Sequence, residues 1–141
     1  MTLKGKKIFI TGGAGFIGSH LIDRVIDRNE VVVFDTLSRN ALEYSKNKGN
    51  KNLKLIKGDV LDINGLEKSI DDIDIFIHMA AIAGVSTVVS KPSTTLKINL
   101  LGSYNALEAC RKKDVKRFIV FSTSEVYGTA RTDRISEEHP L

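Results

Sequence analysis

Short apolar runs alternate with segments of helical periodicity along most of the chain. Runs in which nearly every residue is apolar predict buried strands, and they fall at 7–11, 31–34, 53–57, 74–78 and 118–121. Apolar residues that recur every three or four positions predict helices, and these fall at 16–28, 63–70 and 92–112. A chain that alternates strand and helix in this way folds into a parallel sheet joined by right-handed crossovers.

The predicted strands are apolar on both sides, which indicates that helices cover both faces of the sheet. We therefore predict an α/β fold with a doubly wound parallel sheet of about five strands and helices on both faces. Residues 36–52 are polar and are predicted to form a loop with about one helical turn at most, and 128–141 shows no clear element. The long helix is predicted to turn one face to the core, made of Leu96, Asn99, Leu100, Ser103, Leu107 and Cys110.

A glycine-rich turn lies between the first predicted strand and the first predicted helix. Its sequence is Gly12-Gly13-Ala14-Gly15-Phe16-Ile17-Gly18. In such a turn one glycine makes the tight bend, one lets the main chain approach phosphate oxygens, and one lets helix and strand pack closely. The helix N-terminus supplies free N–H groups and positive potential for a pyrophosphate. The turn predicts a Rossmann-like dinucleotide-binding domain, and the alternative is a purely structural glycine turn.

An acidic residue ends the second predicted strand. Asp35 follows Gly18 by 17 residues, close to the spacing of about 20 at which a carboxylate accepts from the adenosine ribose. A carboxylate there repels a 2′-phosphate, so the sequence favours NAD over NADP. Arg39, which follows closely, softens that preference, and a simple turn residue is the alternative interpretation of Asp35.

Composition and charge argue against some classes of protein and identify none. The net charge is +4, and the scattered lysines suit an anionic ligand better than a nucleic acid. No run approaches the roughly 20 apolar residues of a membrane span, and the N-terminus does not have the pattern of a signal peptide. One cysteine, Cys110, allows no internal disulfide and fits a reducing compartment. We expect a cytoplasmic protein without a membrane or metal partner.

Four motifs in order resemble one family. Residues 11–21, TGGAGFIGSHL, are similar to the opening of the extended short-chain dehydrogenase/reductases, the NAD-dependent sugar-nucleotide epimerases and dehydratases. The later segments that match are Gly58-Asp59-Val60, His78-Met79-Ala80-Ala81 and Ser122-Thr123-Ser124-Glu125-Val126-Tyr127-Gly128. The resemblance covers nearly all 141 residues. It implies NAD as cofactor, a nucleotide sugar as substrate of the full-length enzyme, and residues 1–141 as an NAD-binding Rossmann domain.

The resemblance also implies roles for single residues. In the glycine turn it implies that the cofactor is bound by Gly12, Gly15, Phe16, Ile17 and Gly18. Asp59 and Val60 would contact the adenine, although Asp59 also suits a cap of the next helix. Ala80 and Ala81 would leave room for the nicotinamide side of NAD, and close packing explains them too. Asn99 matches a family asparagine on the long helix, and a buried bracing group is an equally good interpretation.

Thr123 and Glu125 are the candidate catalytic residues by resemblance. Thr123 would hydrogen-bond the sugar hydroxyl that is oxidised, or would simply end a strand. In dehydratase-like members a Glu at position 125 helps to remove a proton next to the new ketone, and burial can tune its pKa for that task. The Thr-Ser-Glu triplet is more similar to that of GDP-mannose dehydratases and UDP-glucuronate decarboxylases than to the Thr-Asp-Glu of 4,6-dehydratases. The reaction, that of an isomerase or a lyase, therefore stays open.

The family's general base, a Tyr with a Lys four residues later, is not found after the fifth strand. Tyr44 is followed by Lys48, but this pair lies in the loop after the second strand and is a chance match. We expect this chain to be the N-terminal part of a longer enzyme, truncated before the C-terminal substrate-binding lobe. Alone, the chain is expected to bind NAD weakly and to be inactive. The open edge of the fifth strand predicts a homo-oligomer.

Two other classes of function stay in view at this point. The first is a non-catalytic NAD-sensing or scaffold protein that kept the cofactor fold and lost the Tyr–Lys pair. The second is a nucleotide-binding module that prefers NADP or a bare nucleotide. A Tyr-x-x-x-Lys shortly downstream of residue 141 would favour the enzyme over the first alternative, and the relative affinity for NAD and NADP tests the second.

Overall fold

The protein is described by a computed structural model that covers residues 3–129 and 133–140. Its centre is one parallel sheet with the strand order β3-β2-β1-β4-β5. The strands are β1 (Lys7–Thr11), β2 (Glu30–Asp35), β3 (Leu53–Lys57), β4 (Ile75–His78) and β5 (Arg117–Val120). All four strand pairings are parallel. The predicted five-stranded parallel sheet is thus confirmed, with strand ends that differ from the prediction by a residue or so.

Helices connect the strands. They are α1 (Phe16–Val25), α2 (Ile63–Ser69), α3 (Val85–Ser90), α4 (Pro92–Leu96) and α5 (Gly102–Lys112), with short 3₁₀ turns at Ile26–Arg28, Ala41–Tyr44 and Ser124–Tyr127. A π-helical turn, Lys97–Leu101, joins α4 to α5, so the predicted long helix over 92–112 exists as one continuous rod. The sequence did not predict α3 or the 3₁₀ turn at Ser124–Tyr127. Within the described ranges, no helix is both long and apolar enough to cross a bilayer.

Alternate strand residues feed two separate cores, one on each face of the sheet. On one face the rings of Phe9 and Phe76 stack at 4.9 Å, and with Phe34 they pack against Leu66 of α2 and Ala106 of α5. The other face is aliphatic and packs against α1; its strand residues are Ile8, Ile10, Val31, Val33, Ile75 and Ile77. Helices therefore cover both faces, as the doubly apolar strands predicted.

The predicted core face of the long helix is partly wrong. Leu96, Leu100 and Leu107 are 64%, 61% and 54% exposed. The residues that face the core are small, and in α4 and α5 they are Thr95, Gly102, Ala106, Ala109 and Cys110. Small side chains bring the helix close to its neighbours, since a Cβ at Gly102 would come within 2.7 Å of the Val60 side chain. The prediction gave weight to large apolar residues, whereas close approach selected small ones.

The strand order reverses direction at β1, which lies between β2 and β4. After β1 the chain continues to α1 on one face, and after β4 it continues to the helices on the other. In open parallel sheets, ligands bind outside the carboxyl ends of the strands at such a switch point. The glycine turn follows β1, and the segment 79–82 follows β4, so both lie at this point.

Candidate functional site

Two glycines of the turn are required by the packing of the protein itself. Gly12 has a φ of +70°, and a Cβ there would come within 2.6 Å of the Ala80 nitrogen. A Cβ at Gly18 would come within 2.5 Å of the Gly13 carbonyl oxygen. The first glycine thus lets the segment after β4 approach the turn, and the second lets α1 pack closely on the turn.

Gly15 differs from both. Its φ is −75°, a value that any residue adopts, and the nearest atom to a Cβ there is the Gly12 carbonyl oxygen at 3.3 Å. Gly15 is also the N-cap of α1, and no side chain among the described residues caps this helix. The following residues, Phe16 and Ile17, are 75% and 59% exposed. The N-terminus of α1 therefore lies at the surface, beside a residue without a side chain.

The Asp35 carboxylate is fixed at the end of β2 by two backbone donors. Its Oδ2 accepts from the Ala14 nitrogen at 3.1 Å, and its Oδ1 accepts from the Leu37 nitrogen at 2.8 Å. The Ala14 carbonyl oxygen in turn accepts from the Ala41 nitrogen at 2.8 Å. A carboxylate offers about four acceptor positions, so these two bonds leave room for hydroxyl donors. Asp35 is half-buried and lies directly beside the glycine turn.

Asp59 and Val60 lie just after the end of the third strand, β3. Asp59 is exposed, and its Oδ1 accepts from the Leu61 nitrogen at 2.9 Å. The cap of α2 is Asp62, which accepts from the Gly65 nitrogen at 3.0 Å, so the capping interpretation of Asp59 does not hold. Val60 is 5% exposed. The site residue after β3 that solvent reaches is therefore Asp59.

Asn99 braces the segment after β4. Its Oδ1 accepts from the Ile82 nitrogen at 2.8 Å, and its Nδ2 donates to the Ile82 carbonyl oxygen at 3.0 Å. Asn99 lies in the π-helical turn, and such turns are frequent at functional sites. Ala80 is half-buried and Ala81 is exposed. The side chain of Asn99 is thus occupied in holding the backbone next to the two alanines.

Sequence reasoning gave no separate role to His78, which the structure makes the centre of a buried polar cluster. Its Nδ1 lies 2.7 Å from Thr11 Oγ1, and its Nε2 lies 3.1 Å from Ser103 Oγ. His78 is 3% exposed, and burial lowers its pKa from 6.5 to about 4. The signal in the sequence was a polar residue at the carboxyl end of each of two neighbouring strands, Thr11 and His78, but the partners are 67 positions apart.

Thr123 and Glu125 follow β5 at the same edge of the sheet. Thr123 Oγ1 accepts from the Glu125 nitrogen at 3.3 Å and so caps the 3₁₀ turn that follows. Both side chains are exposed. In the described part of the chain no acceptor takes the Thr123 hydroxyl proton, so the hydroxyl can donate to a ligand.

Other chemistry considered from the sequence finds no support. Tyr44 is 92% exposed, and the Lys48 ammonium pairs with Glu43, so Tyr44 and Lys48 do not form a catalytic pair. Cys110 is buried, and burial raises the pKa of its thiol to about 12, which disfavours the nucleophilic thiolate. In the described part of the chain, no three His, Cys, Asp or Glu side chains are grouped to hold a metal ion.

These features define a class of protein. A parallel sheet with the order 3-2-1-4-5, a glycine turn ahead of α1 and a carboxylate at the end of β2 together define a Rossmann dinucleotide-binding domain. The sequence matches the NAD dependent epimerase/dehydratase family over residues 8–141. The chain belongs to this family, and the prediction of NAD as the cofactor agrees with the family's description.

Individual relatives agree with this assignment. The dTDP-D-glucose 4,6-dehydratase of Dictyostelium discoideum is 38% identical, with 88% of this chain and 30% of the relative covered. A UDP-N-acetylglucosamine 4-epimerase structure from Methanobrevibacter ruminantium M1 has a TM-score of 0.88 and 38% identity over 96% of this chain and 44% of that one. The UDP-glucose 4-epimerase of Bifidobacterium longum, solved with NAD+ and UDP, has a TM-score of 0.85 and 33% identity over 95% and 42%. The chain spans less than half the length of these relatives.

Proposed function

We propose that this chain is the NAD-binding domain of a nucleotide-sugar epimerase, dehydratase or decarboxylase. NAD, when bound, accepts a hydride from a sugar hydroxyl carbon and returns it after rearrangement. The residues of this chain bind and orient both molecules at the carboxyl edge of the sheet. The proposal extends the family membership to particular residues, which the following observations support. It also extends it to the substrate class, which the nucleotide-sugar enzymes among the relatives support.

The main support for the proposal comes from the surroundings of Gly15. The φ of −75° suits any residue, and a Cβ at Gly15 would make one tight contact, with the Gly12 carbonyl oxygen at 3.3 Å, which a shift of a few tenths of an ångström relieves. The fold thus requires a glycine there less strictly than at Gly12 or Gly18. A ligand that approaches the main chain does require one. The uncapped N-terminus of α1, at Phe16 and Ile17, directs N–H groups and positive potential at the same place. A pyrophosphate fits this combination.

The position of Asp35 supports NAD rather than NADP. Its carboxylate is held next to the glycine turn by Ala14 and Leu37, with acceptor positions left for two ribose hydroxyls. A 2′-phosphate at this place would meet a like charge. Asp59, exposed just after the neighbouring strand β3, is proposed to accept from the adenine amino group, and Val60 to pack behind it. The adenosine half of NAD would then lie over β2 and β3.

The nicotinamide half is proposed to lie along Ala80 and Ala81. Their small side chains leave space on the side of the segment that faces away from the core. The backbone here is fixed by Asn99 through two hydrogen bonds to Ile82, so Asn99 acts as a brace beside the cofactor. The glycine turn and this segment meet at Gly12, which joins the two halves of the binding surface.

The chemistry is proposed to take place beyond β5. Thr123 donates its hydroxyl proton to the oxygen of the sugar hydroxyl that is oxidised, and thereby orients the sugar. Glu125, two residues later and exposed, exchanges a proton next to the ketone of the sugar if the enzyme is a dehydratase. An epimerase would not need an acidic residue there.

The 141 residues alone are proposed to bind NAD weakly and to complete no reaction. A base that takes the sugar hydroxyl proton is part of the chemistry, and the chain has no Tyr-x-x-x-Lys after β5. A non-catalytic NAD-sensing protein is the alternative. The reading frame after residue 141 separates the two, because a Tyr-x-x-x-Lys pair within the next ten or so residues favours the enzyme.

Titration calorimetry of the 141-residue chain with NAD and with NADP tests the binding proposal. We expect measurable heat with NAD, a weaker or undetectable response with NADP, and a higher melting temperature at saturating NAD. Equal affinity for both dinucleotides would contradict the role of Asp35, and no response to NAD would contradict the function. Incubation with UDP- and dTDP-sugars should yield no product, and turnover by the purified chain would overturn the proposed inactivity.

A further inference from the structure

A chain of hydrogen bonds runs beneath the segment that follows β4. The Met79 and Ala80 nitrogens donate to Thr11 Oγ1 at 3.3 and 3.4 Å. The same oxygen lies 2.7 Å from His78 Nδ1. The Thr11 hydroxyl thus links the His78 imidazole to the backbone of Ala80, the residue next to Gly12.

The series of hydrogen bonds continues on the other side of the imidazole. His78 Nε2 lies 3.1 Å from Ser103 Oγ, and Ser103 Oγ donates to the Asn99 carbonyl oxygen at 2.6 Å. The Asn99 side chain then holds both the N–H and the carbonyl of Ile82. Residues 80–82 are therefore held at both ends, by Thr11 at one end and by Asn99 at the other, with His78 between the two.

Only one tautomer of His78 fits this series of hydrogen bonds. The single hydroxyl proton of Ser103 goes to Asn99, so Ser103 Oγ must accept, and His78 Nε2 must carry the hydrogen. A neutral imidazole has one N–H, which makes Nδ1 the acceptor of the Thr11 hydroxyl proton. The remaining lone pairs of Thr11 Oγ1 are then available to the Met79 and Ala80 nitrogens.

The surroundings of His78 favour the neutral ring. Thr11 is fully buried and His78 nearly so. Within residues 3–129 and 133–140, the hydrogen-bond and aromatic partners of the ring are the hydroxyls of Thr11 and Ser103 and the ring of Phe118, which stacks at 6.3 Å. None of these groups carries a charge that would favour an imidazolium.

We propose that His78 is a positioning residue for the cofactor: as the Nε2–H tautomer it joins Thr11 to Ser103 and fixes residues 80–82 against the glycine turn. The effect on the cofactor rests on the proposed function, in which the nicotinamide half of NAD lies along Ala80 and Ala81. His78 itself touches neither cofactor nor sugar and acts through the backbone that it holds.

Nitrogen NMR of the ¹⁵N-histidine-labelled chain tests the tautomer without any ligand. At pH 7 we expect the His78 signals of a protonated Nε2 and an unprotonated Nδ1. The Nδ1–H tautomer, or rapid exchange between the two forms, would overturn the proposal, because the hydrogen bonds could not then run from Thr11 through His78 to Ser103.

A pair of serine variants tests the effect on the segment and on binding. Ser103→Ala removes the acceptor of His78, and Ser69→Ala is its matched control, since Ser69 Oγ donates in the same way to the carbonyl four residues earlier, that of Gly65, at 2.7 Å. We expect Ser103→Ala to raise the dissociation constant of NAD about three- to tenfold, as for the loss of one hydrogen bond. The affinity for ADP, which lacks the nicotinamide half, should not change. Ser103→Thr, which keeps the hydroxyl, should restore NAD affinity.

Amide hydrogen exchange separates this inference from the proposed function. In the free chain, Ser103→Ala should speed exchange at Ala80 and Ile82 relative to wild type and to Ser69→Ala. Unchanged exchange at both amides would overturn the proposal, as would an equal loss of affinity for NAD and ADP or no loss for NAD. If the wild-type chain bound neither nucleotide, the proposed function and the effect on the cofactor would both be wrong, and exchange would still decide whether His78 holds residues 80–82.

Discussion

The Ala80 nitrogen lies so close to the glycine turn that a Cβ on Gly12 would come within 2.6 Å of it. This contact joins the end of β1 to the end of β4, and it makes Gly12 a structural requirement. A Cβ on Gly15, three residues later, would make a milder contact, with the Gly12 carbonyl oxygen at 3.3 Å. The two glycines of one motif therefore have different roles, and substitutions separate them.

Gly15→Ala is expected to weaken NAD binding at least tenfold while the fold persists. The new methyl group would make a tight contact with the Gly12 carbonyl oxygen, at 3.3 Å, which a shift of a few tenths of an ångström relieves. Exchanging glycine for alanine at an N-cap costs about 1 kcal/mol at most. The contrasting variant is Gly12→Ala, which needs a left-handed conformation and a shift of Ala80, and which should lose more than about 1–2 kcal/mol of unfolding free energy. Calorimetric titration and chemical denaturation measure the two effects. Unchanged NAD affinity in Gly15→Ala would refute the assignment of the turn.

Asp35→Ala is expected to lower the affinity for NAD about tenfold or more, because hydrogen bonds to a charged group are lost. It should lower NADP affinity less, since a like charge is removed at the same time. The ratio of the two affinities is the informative quantity. Loosening of the glycine turn through the lost bond to Ala14 affects both dinucleotides and cancels in the ratio. A ratio equal to that of wild type would show that Asp35 does not meet the ribose.

Acid should destabilise the fold through His78. Burial lowers its pKa from 6.5 to about 4, so the unfolded chain takes up a proton in a pH range where the folded chain does not. The stability is therefore complete above about pH 6.5 and is lost as the pH falls towards 4, by at most about 1.4 kcal/mol per pH unit from this group. Urea denaturation at pH 7.0, 6.0, 5.0 and 4.5 measures the slope.

The control for this pH dependence is His78→Gln, which keeps an N–H donor for Ser103 and cannot titrate. Its stability at pH 7 should be lower than that of wild type, and its slope between pH 6.5 and 4.5 should be shallower. Parallel slopes in the two proteins would show that His78 is not the group responsible.

In the isolated 141-residue chain, β5 is expected to mediate self-association. It lies at the edge of the sheet that the described residues form. Ile119 and Val120 of the strand and Phe121 directly after it are 40%, 53% and 49% exposed. Unpaired apolar edges pair with other chains, and charged residues on an edge prevent it. Sedimentation velocity should show a mass that rises with concentration, reduced by Ile119→Lys. The matched control is Leu55→Lys, at an exposed position of the opposite edge strand. A monomer at all concentrations would contradict this prediction.

The fold was predictable because its three central strands, β1, β2 and β4, are largely buried. Residues such as Phe9 and Phe76 feed one core, and Ile8 and Ile77 feed the other, so the interiors of these strands are apolar on both faces. The helix α3 was missed for a local reason. It is short, its sequence is VSTVVS, and β-branched residues have low helix propensity.

The candidate site was predictable only where one short segment carries the information. The glycine turn and Asp35 follow directly from motif and spacing. The cap of α2 by Asp62 rather than Asp59 depends on where the helix begins, which a pattern locates only to within a few residues. The role of His78 was not accessible, because its hydrogen bonds to Thr11 and Ser103 exist only after the sheet has brought distant residues together.

The most direct test of the NAD site is to follow the backbone amides of the ¹⁵N-labelled chain during a titration with NAD. The largest changes in chemical shift should occur at three places on the carboxyl edge of the sheet: Gly12 to Gly18, Asp35 to Leu37, and Ala80 to Ile82. Changes confined to the opposite edge, around Asn29 and Asn52, or no changes at saturating NAD, would contradict the proposed binding site.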